Sequence, residues 1–128
     1  MKTILVTGTS SGIGNQICIQ AAAMNFRVIS VSRNIEPLKD LGGIESFKLD
    51  ITDKDSVDDF VTNLKNRKIK IDILINNAGY LVSELFSETT YDSFKKTFDV
   101  NVFGLAEITR SLIPIINKDG HVINISSI

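Results

Sequence analysis

Gly8, Gly12 and Gly14 fall within the run "TGTSSGIG", directly after an apolar stretch rich in β-branched residues. At this spacing Gly8 permits a sharp exit from a strand, Gly12 lets a pyrophosphate approach the backbone, and Gly14 lets a helix pack closely. The N–H groups from Ser11 to Ile13 would then lie at the positive end of that helix and receive phosphates. A tight strand-to-helix turn with no ligand is the other reading, and the place between a first strand and a first helix favours phosphate. Asn101 falls on an apolar stripe formed by Phe94, Phe98, Leu105, Ile108 and Leu112. An amide buried there must be satisfied by a neighbouring segment or by water. Ser126 and Ser127 follow the run "HVINI", whose first residue, His121, is the only histidine. No base–nucleophile arrangement surrounds them, which argues against a serine hydrolase.

These residues need elements to hold them. The run 2–7 reads as a strand, and Ile13, Ile17 and Ala21, in steps of four, predict a helix over 13–25. A second strand is expected over 26–32, then a short helix near 34–41 that stops at Gly42 and Gly43. Residues 44–50 alternate like a third strand. Thr52 is placed to cap a helix that carries Val57, Phe60, Val61 and Leu64 on one face. The unbroken apolar run 71–76 suits a strand covered on both faces. Residues 90–117 read as helix, broken near Gly104 and bent before Pro114, and 121–126 as the last strand. Strand alternation would point Ser126 away from the side that Ser127 faces. Five strands and four helical crossovers imply a Rossmann-type α/β fold, a doubly wound parallel sheet of order 3-2-1-4-5 that ends after strand 5. Ligands of such sheets sit beyond the carboxyl ends of the strands, where the order reverses.

The end of strand 2, "SVSRN", offers Ser32 and Arg33 and no carboxylate. An NAD site usually places an acid there for the ribose 2′-hydroxyl, whereas a guanidinium grips a 2′-phosphate bidentately. The alternative for Arg33 is a solvated surface side chain. Composition narrows the remaining classes. The 128 residues suffice for one domain over 1–128, and 43% hydrophobic with 23% charged residues is ordinary for a soluble globular chain. A net charge of −1 without a basic run argues against nucleic-acid and membrane-surface binding. Cys18 is the only cysteine, so neither a disulfide within the chain nor a cysteine-based metal site is expected, and a cytoplasmic location is.

Four segments in order carry a resemblance: T-G-x-x-x-G-x-G at 7–14, "NNAG" at 76–79, "NVFG" at 101–104 and "INISS" at 123–127. Together they resemble the short-chain dehydrogenase/reductase family over essentially the whole chain. The resemblance implies an oxidoreductase of alcohol and carbonyl groups. "SRN" at 32–34 is similar to segments that accompany NADP(H) in the family, which implies NADP(H) in preference to NAD(H), although Ser11 stands where many such members are basic. It implies that Asp50 and Ile51 lie beside the adenine, with Asp50 accepting from its amino group. Asp50 also suits a helix N-terminal carboxylate serving Thr52 and Asp53. Asn77, Ala78 and Gly79 match the stretch lining the adenosine ribose.

By the same resemblance Asn101 holds a water of a proton relay, and Ser127 is the catalytic serine that bonds the substrate oxygen. The family's Tyr-x-x-x-Lys pair follows that serine. Here the only such spacing is Tyr91 with Lys95, before Asn101, where a solvated helix face is expected. The chain therefore resembles an N-terminal cofactor-binding portion, inactive alone, of a longer form with a small-molecule substrate and a homo-oligomeric state. A non-catalytic NAD(P)-binding regulatory module is the rival reading, and a flavodoxin-like domain without dinucleotide binding a third.

Overall fold

The computed structural model describes residues 1–127; Ile128, the last residue of the domain expected over 1–128, lies outside the described residues. Five strands, β1 (Thr3–Thr7), β2 (Arg27–Ser32), β3 (Ile44–Lys48), β4 (Ile71–Asn76) and β5 (Ile116–Asn124), form one sheet. Every pairing is parallel and the order is β3-β2-β1-β4-β5, as the sequence implied. β1 is buried along its whole length because both faces are covered. Ile4 and Val6 join Cys18, Ala21, Val28 and Ile75 under α1 (Gly12–Ala23). Leu5 joins Ile29, Leu74, Leu64, Ile108 and Leu112 under α2 (Lys54–Asn66) and α4 (Leu105–Leu112). Each such aliphatic side chain contributes about 1.5–3 kcal/mol on burial, which holds the two layers to the sheet. Burial also leaves Cys18 an inert thiol, its pKa pushed up to about 12 by desolvation.

Several local expectations are corrected. The buried face of α1 is Gly14, Cys18 and Ala21, whereas Ile13 is 62% exposed. Small residues face the sheet because the helix starts too close to it for larger ones. Residues 34–41 form successive turns in place of a helix, with the N–H groups of Leu38 and Lys39 both donating to the Ile35 carbonyl. Pro37, which has no N–H, sits inside that stretch, and Leu38 anchors it in the α1-side core. α2 is capped by Asp53, whose side chain accepts from the Ser56 N–H, and not by Thr52. Thr52 is held instead by Asp50.

The helical path beyond residue 90 changes type as it runs. α3 (Tyr91–Phe98) leads into a π-helical stretch, Asp99–Gly104, then α4, then a 3-10 turn at Ile113–Ile115 containing Pro114. A π turn inserts a residue into the helical repeat, so positions on either side of it do not share one face. Ile108 and Leu112 are accordingly buried, while Phe98 is 53% exposed and Phe94 and Asn101 are exposed too. The continuous stripe expected with a buried Asn101 does not form. β5 pairs regularly from His121 to Asn124, after a register shift that loops out the residues following Ile116. It ends at Asn124, short of the expected 126, so strand alternation does not govern Ser126 and Ser127. No helix among the described residues is long and apolar enough to cross a membrane.

Candidate functional site

A cleft of about 810 Å³ opens beyond the carboxyl ends of the strands, between the loops after β1, β3 and β4 and the end of β2, with α3 as its far wall. It is lined by nine of the twelve residues expected to hold a cofactor: Gly8, Ser11, Ser32, Arg33, Asp50, Ile51, Asn77, Ala78 and Gly79. Gly12, Ile13 and Gly14 belong to the adjoining first turn of α1 and do not line it.

The first turn of α1 differs from those of the other helices. Asp53 and Thr90 cap α2 and α3 with side-chain oxygens, and each of those helices has an acid in its first turn. At α1 the N-cap Ser11 makes no side-chain bond and no acid follows. Its unsatisfied N–H groups and positive end are left to an outside anion. Gly12 has φ +59 and nothing within 4 Å of where a Cβ would stand, so a phosphate has room at this backbone. Gly14 is the opposite case. A Cβ there would overlap the Gly8 carbonyl oxygen and come within 2.5 Å of Asn77 Nδ2. The residues present fit a dinucleotide phosphate at the start of α1.

The loop after β4 is fastened to β1. Thr7 Oγ1 accepts the N–H groups of Asn77 and Ala78 at 3.1 and 3.0 Å, and Asn77 Nδ2 donates to the Gly8 carbonyl at 2.9 Å. Asn76 is buried and donates to Thr109 Oγ1 and Asn124 Oδ1, both at 2.9 Å, which joins β4 to α4 and β5. Thr7, which sequence reasoning passed over, is the residue that fastens this loop. Its signal was its place as the first residue of the glycine motif.

At the end of β2, Ser32 Oγ donates to the Asn34 carbonyl, and Asn34 Oδ1 accepts the Glu36 N–H. This closes a turn that sets Arg33 and Asn34 on the cleft wall. Asp50 uses Oδ1 to accept both the N–H and the hydroxyl of Thr52, at 2.9 and 2.7 Å. On the far wall Lys95 pairs with Asp99 at 2.7 Å, and the hydrogen bond to that carboxylate raises the lysine pKa. Tyr91 is 79% exposed, so Tyr91 and Lys95 occupy a solvated face. Lys96 stands over the Tyr80 ring, 4.4 Å from its centroid.

Asn101 lies outside the cleft lining but grips Tyr80, which is in it. Both halves of its amide are engaged, so a neighbouring segment satisfies it. Ser127 is exposed, three positions past the end of β5, and does not line the cleft.

Residues 2–128 match the family model for short chain dehydrogenase. Among solved structures, a short-chain dehydrogenase from Streptomyces avermitilis is 38% identical with a TM-score of 0.90, over 98% of this chain and 49% of that one. ElxO with NADP bound is 27% identical with a TM-score of 0.86, over 98% of this chain and 55% of that one. A short chain dehydrogenase from Leptospira borgpetersenii with bound NAD+ is 27% identical with a TM-score of 0.88, over 96% and 50%. The chain spans about half the length of the curated relatives it matches, 47% and 59% of two of them.

Proposed function

The chain belongs to the short chain dehydrogenase family, and from that premise we propose that it binds NADP(H) in preference to NAD(H) as the cofactor-binding part of an oxidoreductase of alcohol or carbonyl groups. One observation carries the cofactor reading: Arg33 stands in the same cleft as the uncapped start of α1, with no carboxylate at the end of β2. The α1 N-terminus suits the pyrophosphate, and the planar guanidinium suits a 2′-phosphate better than a neutral hydroxyl. When bound, the dinucleotide supplies or accepts the hydride. The chain's residues hold it: Asn77, Ala78 and Gly79 line the ribose side, and Asp50 and Ile51 the adenine side. Ser127 bonds the substrate oxygen, and Asn101 grips Tyr80 in the loop after β4.

Calorimetric titration with NADPH and NADH tests this. NADPH binds more tightly, and Arg33→Ala removes the difference. Equal affinities, or a preference that survives Arg33→Ala, overturn the assignment. The commitment of both ends of the Asn101 amide to Tyr80 favours a second reading, a non-catalytic NAD(P)-binding module. Turnover of an alcohol or carbonyl substrate by a longer form that carries a Tyr-x-x-x-Lys pair after Ser127 decides for the oxidoreductase, and its absence for the module.

A further inference from the structure

Ser30 stands in the middle of β2, 1% exposed, where a strand covered on both faces calls for an apolar side chain. Its register partners are Val6 on β1 and Ser46 on β3. The Ser30 hydroxyl lies 3.2 Å from that of Ser46 and 3.1 Å from that of Thr9. Thr9, also 1% exposed, is the second residue after β1 and belongs to the glycine loop. Its other hydroxyl contact is a long one, 3.4 Å to the Val31 carbonyl, which already accepts the Gly8 N–H at 2.9 Å. Three hydroxyls from three segments therefore form a row, from the glycine loop across β2 to β3. Buried hydroxyls are unfavourable unless bonded, and each member of this row relieves its neighbour. None of the three lines the cleft.

We propose that the Thr9–Ser30–Ser46 row positions the glycine loop for the cofactor's phosphates, an inference that rests on the nucleotide reading above. Thr9 is flanked by Gly8 at φ +70 and, beyond two serines, by Gly12 at φ +59, so the loop has flexible backbone at both ends. Gly8 N–H and Thr9 hydroxyl fasten one side of it to the end of β2. The other side carries the N–H groups of the first turn of α1. Releasing Thr9 leaves those N–H groups less well ordered before the phosphate arrives, and affinity falls by the cost of ordering them. These are positioning residues, acting through the loop.

Three variants test the proposal: Thr9→Val, which keeps the shape and removes the hydroxyl, Thr9→Ser, which keeps the hydroxyl, and Ser30→Ala. Each is titrated with NADPH and with 2′-AMP, which lacks the pyrophosphate, and amide hydrogen exchange is followed without nucleotide. Thr9→Val and Ser30→Ala raise the NADPH Kd roughly three- to tenfold, the worth of one hydrogen bond, and leave 2′-AMP unchanged. Thr9→Ser stays with the parent protein. Exchange quickens at residues 8–12 while the β2 amides hold. Parallel weakening of both nucleotides, or unaltered loop exchange in Thr9→Val, overturns the proposal. If Ser30→Ala does not fold, Thr9→Val carries the test alone. A parent protein that binds neither nucleotide refutes the cofactor reading, and loop exchange then decides the positioning claim by itself.

Discussion

Asn101 holds Tyr80 by both of its backbone groups: the Tyr80 N–H donates to Oδ1 at 2.8 Å, and Nδ2 donates to the Tyr80 carbonyl at 2.8 Å. The pair ties the π-helical stretch to the loop after β4, at a point where Gly79 brings the backbone close to the same amide. Asn101→Ala removes both bonds and should cost about 1–2 kcal/mol, read as a lower urea midpoint at unchanged slope. Asn101→Asp should cost at least as much, because a carboxylate keeps the acceptor but faces the Tyr80 carbonyl without a donor. An Asp variant as stable as the parent would mean that the pair contributes nothing.

The glycines of the first loop should separate by kind of damage. Gly14→Ala places a methyl against the Gly8 carbonyl, which is backbone, and against Asn77 Nδ2, which is hydrogen-bonded to that carbonyl. Overpacking of this kind costs about 1–3 kcal/mol and should lower the thermal midpoint. Gly12→Ala meets no neighbour, and its penalty is the left-handed backbone at φ +59, about 1–2 kcal/mol. If a phosphate approaches the backbone here, as proposed, the larger effect of this variant should be on NADPH affinity, since the new methyl would stand in that space. Thermal melts with and without NADPH distinguish the two variants. Similar ligand-induced shifts in both would show Gly12 to be a turn residue only.

The sheet order was legible because β-branched runs alternate with long gaps, and parallel connections have a fixed hand. Nine of the twelve residues expected at the cofactor share one cleft for the same reason, since each lies at or beyond the carboxyl end of a strand. What escaped the sequence was set by local competition. Asn101 looked buried because a 3.6-residue period was extended through residues 99–104, where the helix is π. Of the periodic residues Ile13, Ile17 and Ala21, Ala21 is buried and Ile17 packs against the core, but Ile13 is exposed, and close approach of helix and sheet adds Gly14 and Cys18 to the buried face. Thr52 lost the cap to Asp53 because Asp50 had already taken its hydroxyl. No periodicity announces a hydroxyl whose partner lies on a distant segment, which is why Ser30 and Thr7 passed unread.

Asp72 gives stability a pH dependence. Its Oδ2 accepts the Thr3 N–H at 2.7 Å and its Oδ1 accepts from Asn117 at 2.8 Å, joining β4 to the start of β1 and to β5. The backbone bond from Thr3 first, then that from Asn117, holds its carboxyl below the usual carboxylate range. A folded pKa below the unfolded one stabilises above the unfolded value, near 3.9, and that contribution is lost as pH falls toward the folded value. Urea unfolding between pH 6 and about pH 3 should show a stability loss that Asp72→Asn reduces. An unchanged pH slope in the variant would assign the acid sensitivity elsewhere, to Glu45, Asp53 or Glu107, whose carboxyls hydrogen bonds also hold low.

Asp50 has one oxygen committed and one available. Oδ1 takes both the N–H and the hydroxyl of Thr52, so the residue does brace the approach to α2. No bond among the described residues uses Oδ2, and the side chain lines the cleft. If Oδ2 accepts from the adenine amino group, NADPH should bind more tightly than its hypoxanthine analogue, which has no such donor. One hydrogen bond predicts a ratio of roughly three- to tenfold. Asp50→Ala should bring the ratio close to one, whereas Thr52→Val, which only relieves Oδ1, should leave it intact. Competitive titration of the two dinucleotides reads the ratio directly. Equal affinities in the parent protein would leave Asp50 with a single task, that of holding Thr52.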